Sequence, residues 1–375
     1  MDFSFSDEQE SLRELARKIF GDLASHERLR ELENDGLCFD RALWAELARS
    51  NLLGVAIDEE HGGMGMGFME LAMLLEEAGR AVAPVPLVPT LVLGALPIAQ
   101  FGSLAQKTHF LRRVASGDAI LTAALVEPGS EDPLAPETSA TRDGDGWRLD
   151  GRKLSVPAAQ LAERILVPAR TDAGLALFLL DPAADGVELT AVEATSREPQ
   201  CHVSLSAARV DRDDVLAGPE RGAEAVAWLT LRAKAALCAV ALGVADRALR
   251  ITAEYTTQRE QFDRPIGSFQ AVHQRAADAY IGIEAMRLTS WQASSRIAAG
   301  EPAEDAVAIA KYWAAEAGHV ATYAAIHLHG GMGVDMDYPV HRYYLWARQI
   351  ELTLGSANRQ LAELGAELAA SPAGM

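Results

Sequence analysis

Four of the nine histidines in this sequence are candidates for binding a metal. They are His273, His327, His329 and His341. The predicted elements that carry them are separate, and no close carboxylate or cysteine pattern accompanies them, so we predict no metal site. His329 directly precedes Gly330, and this position predicts either a packing role or a ligand contact in a turn.

A glycine-rich loop and three cysteines also fail to indicate a catalytic centre. The loop "EEHGGMGMG", residues 59–67, follows no strand, as a nucleotide-binding loop would, so we predict a tight turn there. Cys38, Cys201 and Cys238 are too widely spaced to form a disulfide framework or a metal-ligand pattern.

Charge restricts the possible ligands. The chain has 375 residues, a net charge of −19 and an isoelectric point near 4.9, which argue against binding nucleic acid or an anionic membrane surface. A phosphate-bearing ligand would therefore need a local cluster of arginine and lysine. The amino terminus is acidic and has no apolar signal core, so we expect a cytoplasmic protein.

The residue pattern divides the chain into three zones. Residues 1–119 show helical periodicity, and the first helix is predicted to place Leu12, Leu15, Ala16 and Phe20 on one face. The apolar stretch 81–100 contains four prolines, which favour a buried turn and short helix over a membrane span.

Residues 120–220 form the second zone, with short strand-like runs and Asp-Gly turns that predict a compact β-domain or barrel. Within it, "DGDGWRLDGRK" predicts a hairpin with Trp147 and Leu149 alternating between turn signals. Residues 221–375 predict long helices in a four-helix bundle, and the first of these helices is apolar on every side, which is typical of a buried helix.

Three stretches carry a resemblance to a known family. They are "WAELARSNLLGVAIDEEHGGMG", "YTTQREQFDRPIGSFQAVHQRAADAY" and "HLHGGMGVDMDYPVHRYYLWARQIELTLGSANRQLAELG". Together they resemble the acyl-CoA dehydrogenases, flavoenzymes that oxidise the Cα–Cβ bond of acyl-CoA thioesters. The resemblance covers nearly the whole chain and implies an α+β fold: an N-terminal helical domain, a middle β-barrel domain and a C-terminal four-helix bundle.

In that family a glutamate removes the α-proton, and it occupies one of two positions. Those positions correspond here to Leu354 and to Ala233, which Lys234 follows, so both bases are missing. Glu351 is the nearest carboxylate, but it lies one helical turn, about 5 Å, before Leu354. We consider Glu351 only a weak catalytic candidate and favour its interpretation as a solvated helix residue or an ion-pair partner of Arg348.

The resemblance also indicates an altered site for the flavin ring. Val126 stands where the family has a hydroxyl residue, and Ser155 stands where it has an aromatic wall. Pro157 has no backbone N–H to donate. We therefore do not expect a productive flavin ring in this chain's own β-domain.

The residues that the family uses on the adenine side of FAD are retained. Family members bind FAD across subunits, and the neighbouring subunit supplies an Arg-x-x-Phe motif, a glutamine and a Gly-Gly turn. The corresponding residues here are Arg259, Phe262, Gln270, His327 (where glutamine is usual), Gly330 and Gly331.

Four functions are compatible with this pattern. We favour the base-lacking subunit of a two-subunit bacterial acyl-CoA dehydrogenase, paired with a paralogous subunit, with α2β2 as the expected assembly. Its substrate would be an acyl-CoA, such as a bulky or steroid side-chain thioester, and an electron-transfer flavoprotein would be the acceptor. The alternatives are an independent homo-oligomeric dehydrogenase with a displaced base, a non-catalytic scaffold, and a flavin oxygenase on the same fold.

Overall fold

The computed structural model describes residues 4–130 and 132–370. By backbone proximity the chain divides into two compact units. The first unit combines the stretch up to Arg30, Phe68–Ala83, and the chain from Lys234 onward. The second comprises Glu31–Gly67 and Pro84–Ala233. The three-domain division at 119/120 and 220/221 therefore stays a prediction, although the order of helices, strands and helices along the chain is as expected.

Helices dominate both ends of the chain. A π-helical segment, Val88–Ala95, leads directly into the fifth α-helix. The α-helices are α1 (Asp7–Leu23), α2 (His26–Asn34), α3 (Arg41–Arg49), α4 (Phe68–Arg80), α5 (Leu96–Phe101), α6 (Leu104–Ala115), α7 (Gly222–Gln258), α8 (Gln270–Ala298), α9 (Glu304–His329), α10 (Val340–Leu352) and α11 (Ala357–Ala370).

Strands occupy the middle zone, apart from one short pair near residue 262. They are β1 (Leu121–Ala123), β2 (Ser139–Asp143), β3 (Gly146–Pro157), β4 (Arg164–Thr171), β5 (Gly174–Leu180), β6 (Val187–Val192), β7 (Gln200–Val210), β8 (Val215–Ala217), β9 (Glu260–Gln261) and β10 (Arg264–Pro265).

The first helix confirms most of its predicted face. Leu12, Ala16 and Phe20 are buried in α1, but Leu15 is 41% exposed, so its placement on the buried face was wrong. Ile19 is buried instead. The buried stripe follows 3.6-residue spacing from Leu12, and Leu15 lies at its edge.

The two apolar stretches have different structures. Residues 88–101 form the π-helical segment and α5, almost entirely buried, as the prolines indicated. Among the described residues, α7 is the one helix long and apolar enough to cross a membrane, but 61% of its most apolar 18-residue window is buried within the protein. An apolar helix of this kind is expected in a protein core.

The middle β-domain is an eight-stranded sheet. Its main path runs β6-β7-β3-β2-β4-β5-β8, and β1 pairs with β4. The predicted hairpin is β2–β3, in which Asp143 pairs with Gly146 across the turn. Trp147 and Leu149 are both buried in the core of the sheet, which confirms the alternation expected from the sequence.

A buried ion pair ties the sheet to the segment that follows β1. The Lys153 ammonium donates to Glu127 Oε1 at 2.6 Å and to the Pro168 carbonyl at 2.9 Å. Glu127 also accepts from the backbone N–H of Thr138 at 3.1 Å. Burial by itself raises the pKa of Glu127, but the hydrogen bonds from Lys153 and Thr138 outweigh it and lower the pKa below its ordinary value.

We expect Lys153→Met to lower the free energy of unfolding by roughly 3–5 kcal/mol near neutral pH, because the Glu127 carboxylate would be left buried without a cation. The lowered pKa of Glu127 stabilises the folded state above the ordinary glutamate pKa, and this contribution is lost as the pH falls through the folded-state value. The difference from wild type should therefore shrink towards about pH 4 in urea-unfolding measurements.

The control is the double variant Glu127→Gln/Lys153→Met, in which no carboxylate is left unpaired. It should recover part of the loss at neutral pH. An equal loss at both pH values would contradict the assignment of the effect to the carboxylate.

Candidate functional site

The turn that carries the first base position has an unusual backbone. After α10 ends at Leu352, Thr353 caps the helix, and Leu354 and Gly355 have φ angles of 55° and 101°. The left-handed region is unfavourable for leucine, so neighbouring contacts must hold this turn. Leu354 is only 7% exposed. The side-chain amide of Gln360 donates to the carbonyls of Leu354 and Gly355, at 3.4 and 3.5 Å.

A fully buried ammonium fixes the same turn. Lys311 on α9 donates to three carbonyls at the end of α10 and just beyond: Ile350 at 3.0 Å, Glu351 at 3.2 Å and Gly355 at 3.1 Å. The last carbonyls of a helix lack intrahelical donors and carry partial negative charge, which a cation stabilises. Lys311 therefore positions the turn, and the sequence analysis did not single it out.

The residues at the second base position have packing and hydrogen-bonding roles. Ala233 is buried, and Lys234 donates to Gln360 Oε1 at 3.2 Å and to Glu363 Oε2 at 2.6 Å. Burial raises the pKa of Glu363, but hydrogen bonds from Lys234 and Arg359 lower it below its ordinary value. Lys234 is thus linked through Gln360 to the turn after α10, in a network that contains no unengaged carboxylate.

Glu351 lies in an ion-paired cluster. Its carboxylate is bonded to the Arg348 guanidinium and lies 3.4 Å from His319 Nδ1. The same ring nitrogen lies 2.9 Å from Arg348 Nη1. This arrangement favours the ion-pair interpretation over a base, since the carboxylate is engaged by the guanidinium and is not directed at a substrate.

The structure brings the two altered segments of the ring site together. The Leu154 N–H donates to the Val126 carbonyl at 2.8 Å. The strand β3 has a bulge there relative to β7, and Ser155 has a φ angle of 47°. The Ser155 N–H donates to His202 Nδ1 at 3.1 Å, so this amide already has an internal acceptor. The Pro157 carbonyl accepts from Thr122 Oγ1 at 2.7 Å.

These contacts agree with the expectation that no flavin ring binds productively in this β-domain, which stays a prediction. Ser155 presents no aromatic face, its backbone donor is occupied, and Pro157 has no donor. Sequence reasoning found Val126, Ser155 and Pro157 but missed His202, because nothing in the sequence indicates that His202 lies beside the bulge.

The residues predicted for the adenine side share a different property: all lie on the first unit and are exposed. Phe262 is 87% exposed, which is uncommon for a phenylalanine. Cβ atoms built at the two glycines would meet no atom within 4 Å, so their backbone is open to an approaching ligand. The exposed set is Arg259, Phe262, Gln270, His327, Gly330 and Gly331.

A short hairpin presents Phe262. Strands β9 and β10 pair antiparallel, and Phe262 and Asp263 form the turn with φ angles of 55° and 60°. Phe269 supports the hairpin: its ring lies 6.1 Å from that of Phe262, and the Arg264 guanidinium lies 4.0 Å above it. The sequence did not predict this hairpin, because turns with two positive φ angles usually contain Asn-Gly or Asp-Gly.

His329 joins the hairpin region to the glycine turn. Its ring stacks on Tyr255 at 4.3 Å, and its Nδ1 donates to the Ala325 carbonyl at 2.7 Å. Burial lowers the pKa of His329, which keeps the imidazole neutral. Because the Arg259 N–H donates to the Tyr255 carbonyl, this stack connects the end of α7 to the turn that begins at Gly330. The packing role is thereby established, and a ligand contact stays a prediction.

Within the described ranges, no group of three or more His, Cys, Asp and Glu side chains could hold a metal ion. Cys38, Cys201 and Cys238 are buried free thiols.

Comparisons with known proteins identify the class. The acyl-CoA dehydrogenase C-terminal domain profile matches residues 220–369, and the N-terminal domain profile matches residues 6–118. The chain belongs to the acyl-CoA dehydrogenase family, whose members are oxidoreductases that use FAD. The predicted fold of N-terminal helices, a middle sheet domain and a C-terminal helical bundle is confirmed.

One curated relative and two solved structures show which family members this chain is similar to. The chain is 41% identical to acyl-CoA dehydrogenase FadE27 of Mycobacterium tuberculosis, over all of both chains. It resembles a chain of the ChsE4-ChsE5 complex from Mycobacterium tuberculosis, with a TM-score of 0.95 and 41% identity, covering 100% of each chain. It also resembles a chain of a variant of the Tcur3481-Tcur3483 steroid ACAD, with a TM-score of 0.92 and 46% identity, covering 98% of this chain and 99% of the other.

We expect Lys311→Met to lower the free energy of unfolding by about 3 kcal/mol, since the carbonyls at the end of α10 would lose a charged donor in a buried place. Lys18→Met, which removes an exposed lysine of the same unit, is the matched control and should change the free energy of unfolding by less than about 0.5 kcal/mol. Urea unfolding followed by circular dichroism measures both. Similar small effects in the two variants would contradict the positioning role of Lys311.

We expect Leu354→Glu, by itself, not to create an efficient dehydrogenase. The variant restores a carboxylate, but Val126, Ser155 and Pro157 still provide no site for the flavin ring, and hydride transfer requires donor and acceptor to be aligned. Burial would also raise the pKa of the new glutamate and cost stability.

The measurement is acyl-CoA-dependent dye reduction by the chain purified without a partner, with Leu354→Gln as an uncharged control of the same shape. Robust turnover by the glutamate variant, absent from the glutamine variant, would show that the ring site is intact.

Proposed function

We propose that this chain is the base-lacking subunit of a heteromeric, FAD-dependent acyl-CoA dehydrogenase. One observation carries the proposal: the adenine-side set from Arg259 to Gly331 is exposed and supported, whereas both base positions are apolar and built into the packed interior. A chain with this division contributes binding groups to a cofactor whose reactive ring lies in another subunit.

The chain's own residues would bind the diphosphate and adenosine parts of FAD. The Arg259 guanidinium offers a forked donor set for the diphosphate. The open backbone at Gly330 and Gly331 lets N–H groups approach phosphate oxygens. Phe262, held by Phe269, offers a large exposed ring to a planar group.

The chemistry that FAD supplies when bound is acceptance of a hydride from the β-carbon of the thioester. Among the described residues, neither base position and no carboxylate next to them is placed to take the α-proton: Leu354 and Ala233 have no proton acceptor, and Glu351 is engaged by Arg348. The base would therefore come from the paralogous partner. The same reasoning argues against an independent homo-oligomeric dehydrogenase, and the retained adenine-side set argues against a silent scaffold.

The relatives support the remaining parts of the proposal. The ChsE4-ChsE5 structure is described as a complex, and the Tcur3481-Tcur3483 structure is described as a steroid ACAD. Both names contain two components. We accordingly assign an α2β2 assembly in the cytoplasm, a bulky acyl-CoA such as a steroid side-chain thioester as substrate, and an electron-transfer flavoprotein as acceptor.

The deciding experiment measures FAD in the co-purified complex. Arg259→Ala and Gln270→Ala should loosen or remove FAD, because losing one charge-assisted contact costs roughly 1.5–3 kcal/mol, or about ten- to a hundredfold in affinity. Flavin absorbance per heterodimer and bleaching by substrate report the result, and wild type should hold one FAD per pair of unlike subunits.

Two controls accompany these variants. Arg296→Ala removes a guanidinium of the same unit that is paired with Asp305, and Ser155→Ala alters the ring position of this chain. Both should retain FAD and activity. Two flavins per pair of subunits, or full FAD occupancy in Arg259→Ala, would refute the proposal.

A further inference from the structure

A cleft lined by three arginines lies in the second unit and includes none of the residues assigned above to the base, ring or adenine-side positions. Its guanidiniums belong to Arg142, Arg212 and Arg221, and its volume is about 520 Å³. Sites for small molecules usually measure about 300–1,000 Å³. The β2–β3 turn, the segment before β8 and the turn before α7 form its walls.

The first wall holds Arg142 in place through the core of the sheet. Arg142 pairs with Trp147 across the β2–β3 hairpin, and its guanidinium lies 4.1 Å above the Trp147 ring. Trp147 is buried and packs edgewise on Phe178 at 5.5 Å. Stacking fixes the plane of the guanidinium and leaves its N–H edge available to an acceptor.

The second wall holds Arg221 in a similar way. Its guanidinium lies 5.0 Å from the Phe101 ring centre, and Phe101 packs edgewise on Trp228 at 5.5 Å. Arg221 also pairs with Glu224 at 3.2 Å. Both walls therefore carry guanidiniums positioned by aromatic rings, which reduces the entropy lost when they bind an anion.

The carboxylate nearest in sequence to Arg142 is engaged elsewhere. Asp143 binds Arg148 at 2.7 Å instead. Within residues 4–130 and 132–370, Arg142 has no salt bridge.

Of the three carboxylates next to Arg212 in sequence, two bind other arginines: Asp211 binds Arg209 at 3.0 Å, and Asp214 pairs with Arg164 at 4.0 Å. The third, Asp213, forms no salt bridge with Arg212 in the described part of the chain. Arg212 likewise forms no salt bridge within the part of the chain that the structure describes.

Two carboxylates, those of Asp145 and Glu220, also line the cleft. The cleft therefore carries three guanidiniums and two carboxylates, a local excess of positive charge in a chain of net charge −19, and such an excess attracts an anion.

We propose that this cleft binds a small organic diphosphate, with its phosphate oxygens accepting from Arg142 and Arg212. A diphosphate places at least two negative charges on adjacent groups, which matches two unpaired guanidiniums, and guanidinium forks bond phosphate oxygens in pairs. The volume of the cleft exceeds that of a diphosphate group. The remaining space, between the walls that carry Arg142 and Arg221, accommodates the organic part of the ligand.

Calorimetric titration with inorganic pyrophosphate tests the site, using the FAD-saturated protein as purified. We expect saturable binding that Arg142→Gln and Arg212→Gln each weaken by about ten- to a hundredfold. Arg148→Gln and Arg209→Gln remove guanidiniums already paired with Asp143 and Asp211, and they should leave the affinity unchanged. These residues are exposed, so thermal unfolding should confirm that each variant is folded.

Parallel titrations with ADP, coenzyme A and citrate identify the chemistry. Binding of ADP or coenzyme A at least as tightly as pyrophosphate, weakened in the Arg142→Gln/Arg212→Gln double variant and with citrate much weaker, supports an organic diphosphate. The dependence on these two arginines separates this cleft from the proposed acyl-CoA site. Pyrophosphate binding without either nucleotide, or citrate binding as tightly, would overturn that assignment.

The absence of saturable pyrophosphate binding, or equal affinity in the Arg142→Gln/Arg212→Gln double variant, would overturn the site itself. Arg259→Ala should leave pyrophosphate binding at this cleft intact. Failure of the proposed function and failure of this inference are therefore separate results.

Discussion

The buried ammonium of Lys311 is the interaction on which the candidate site depends. It binds three carbonyls where α10 ends, and the turn beyond them holds Leu354 and Gly355 in left-handed conformations. An ammonium without solvent is costly unless its protons are bonded, so the contact fixes the helix end and the turn together. The turn that would present a base thus remains rigid although the side chain at its tip is apolar.

The residues predicted for the flavin-ring side of FAD and those predicted for its adenine side lie in different environments in this chain. On the ring side, the backbone N–H of Ser155 in the bulge donates to His202 Nδ1, so this donor is already bonded within the protein. On the adenine side, Phe262 and the glycines face solvent, although Phe269 and the Tyr255–His329 stack support them. Exposed but ordered groups of this kind are expected where a protein completes a site on another subunit.

The periodic elements could be predicted because their causes are local. The face of α1, the hairpin with Trp147 and Leu149, and the proline-containing buried segment all follow from spacing and from the properties of single residues. Leu15 was placed wrongly because periodicity defines a stripe but not how wide the surrounding core is. The hairpin at Phe262 was missed because its turn residues are atypical for positive φ angles.

The sequence by itself determined which side chains stand at the predicted base, ring and adenine-side positions, since residue identity at a motif position needs no coordinates. It also determined the order of helices and strands. Only the tertiary structure decided which buried charges meet: Lys311 with the end of α10, and Lys153 with Glu127. Lys311 and Lys153 find these partners on other helices, strands or loops, and pairing of this kind depends on packing over a few ångströms that residue patterns do not specify. The pair of Glu351 with Arg348, by contrast, is three residues apart on α10, so helical spacing in the sequence was enough to suggest it.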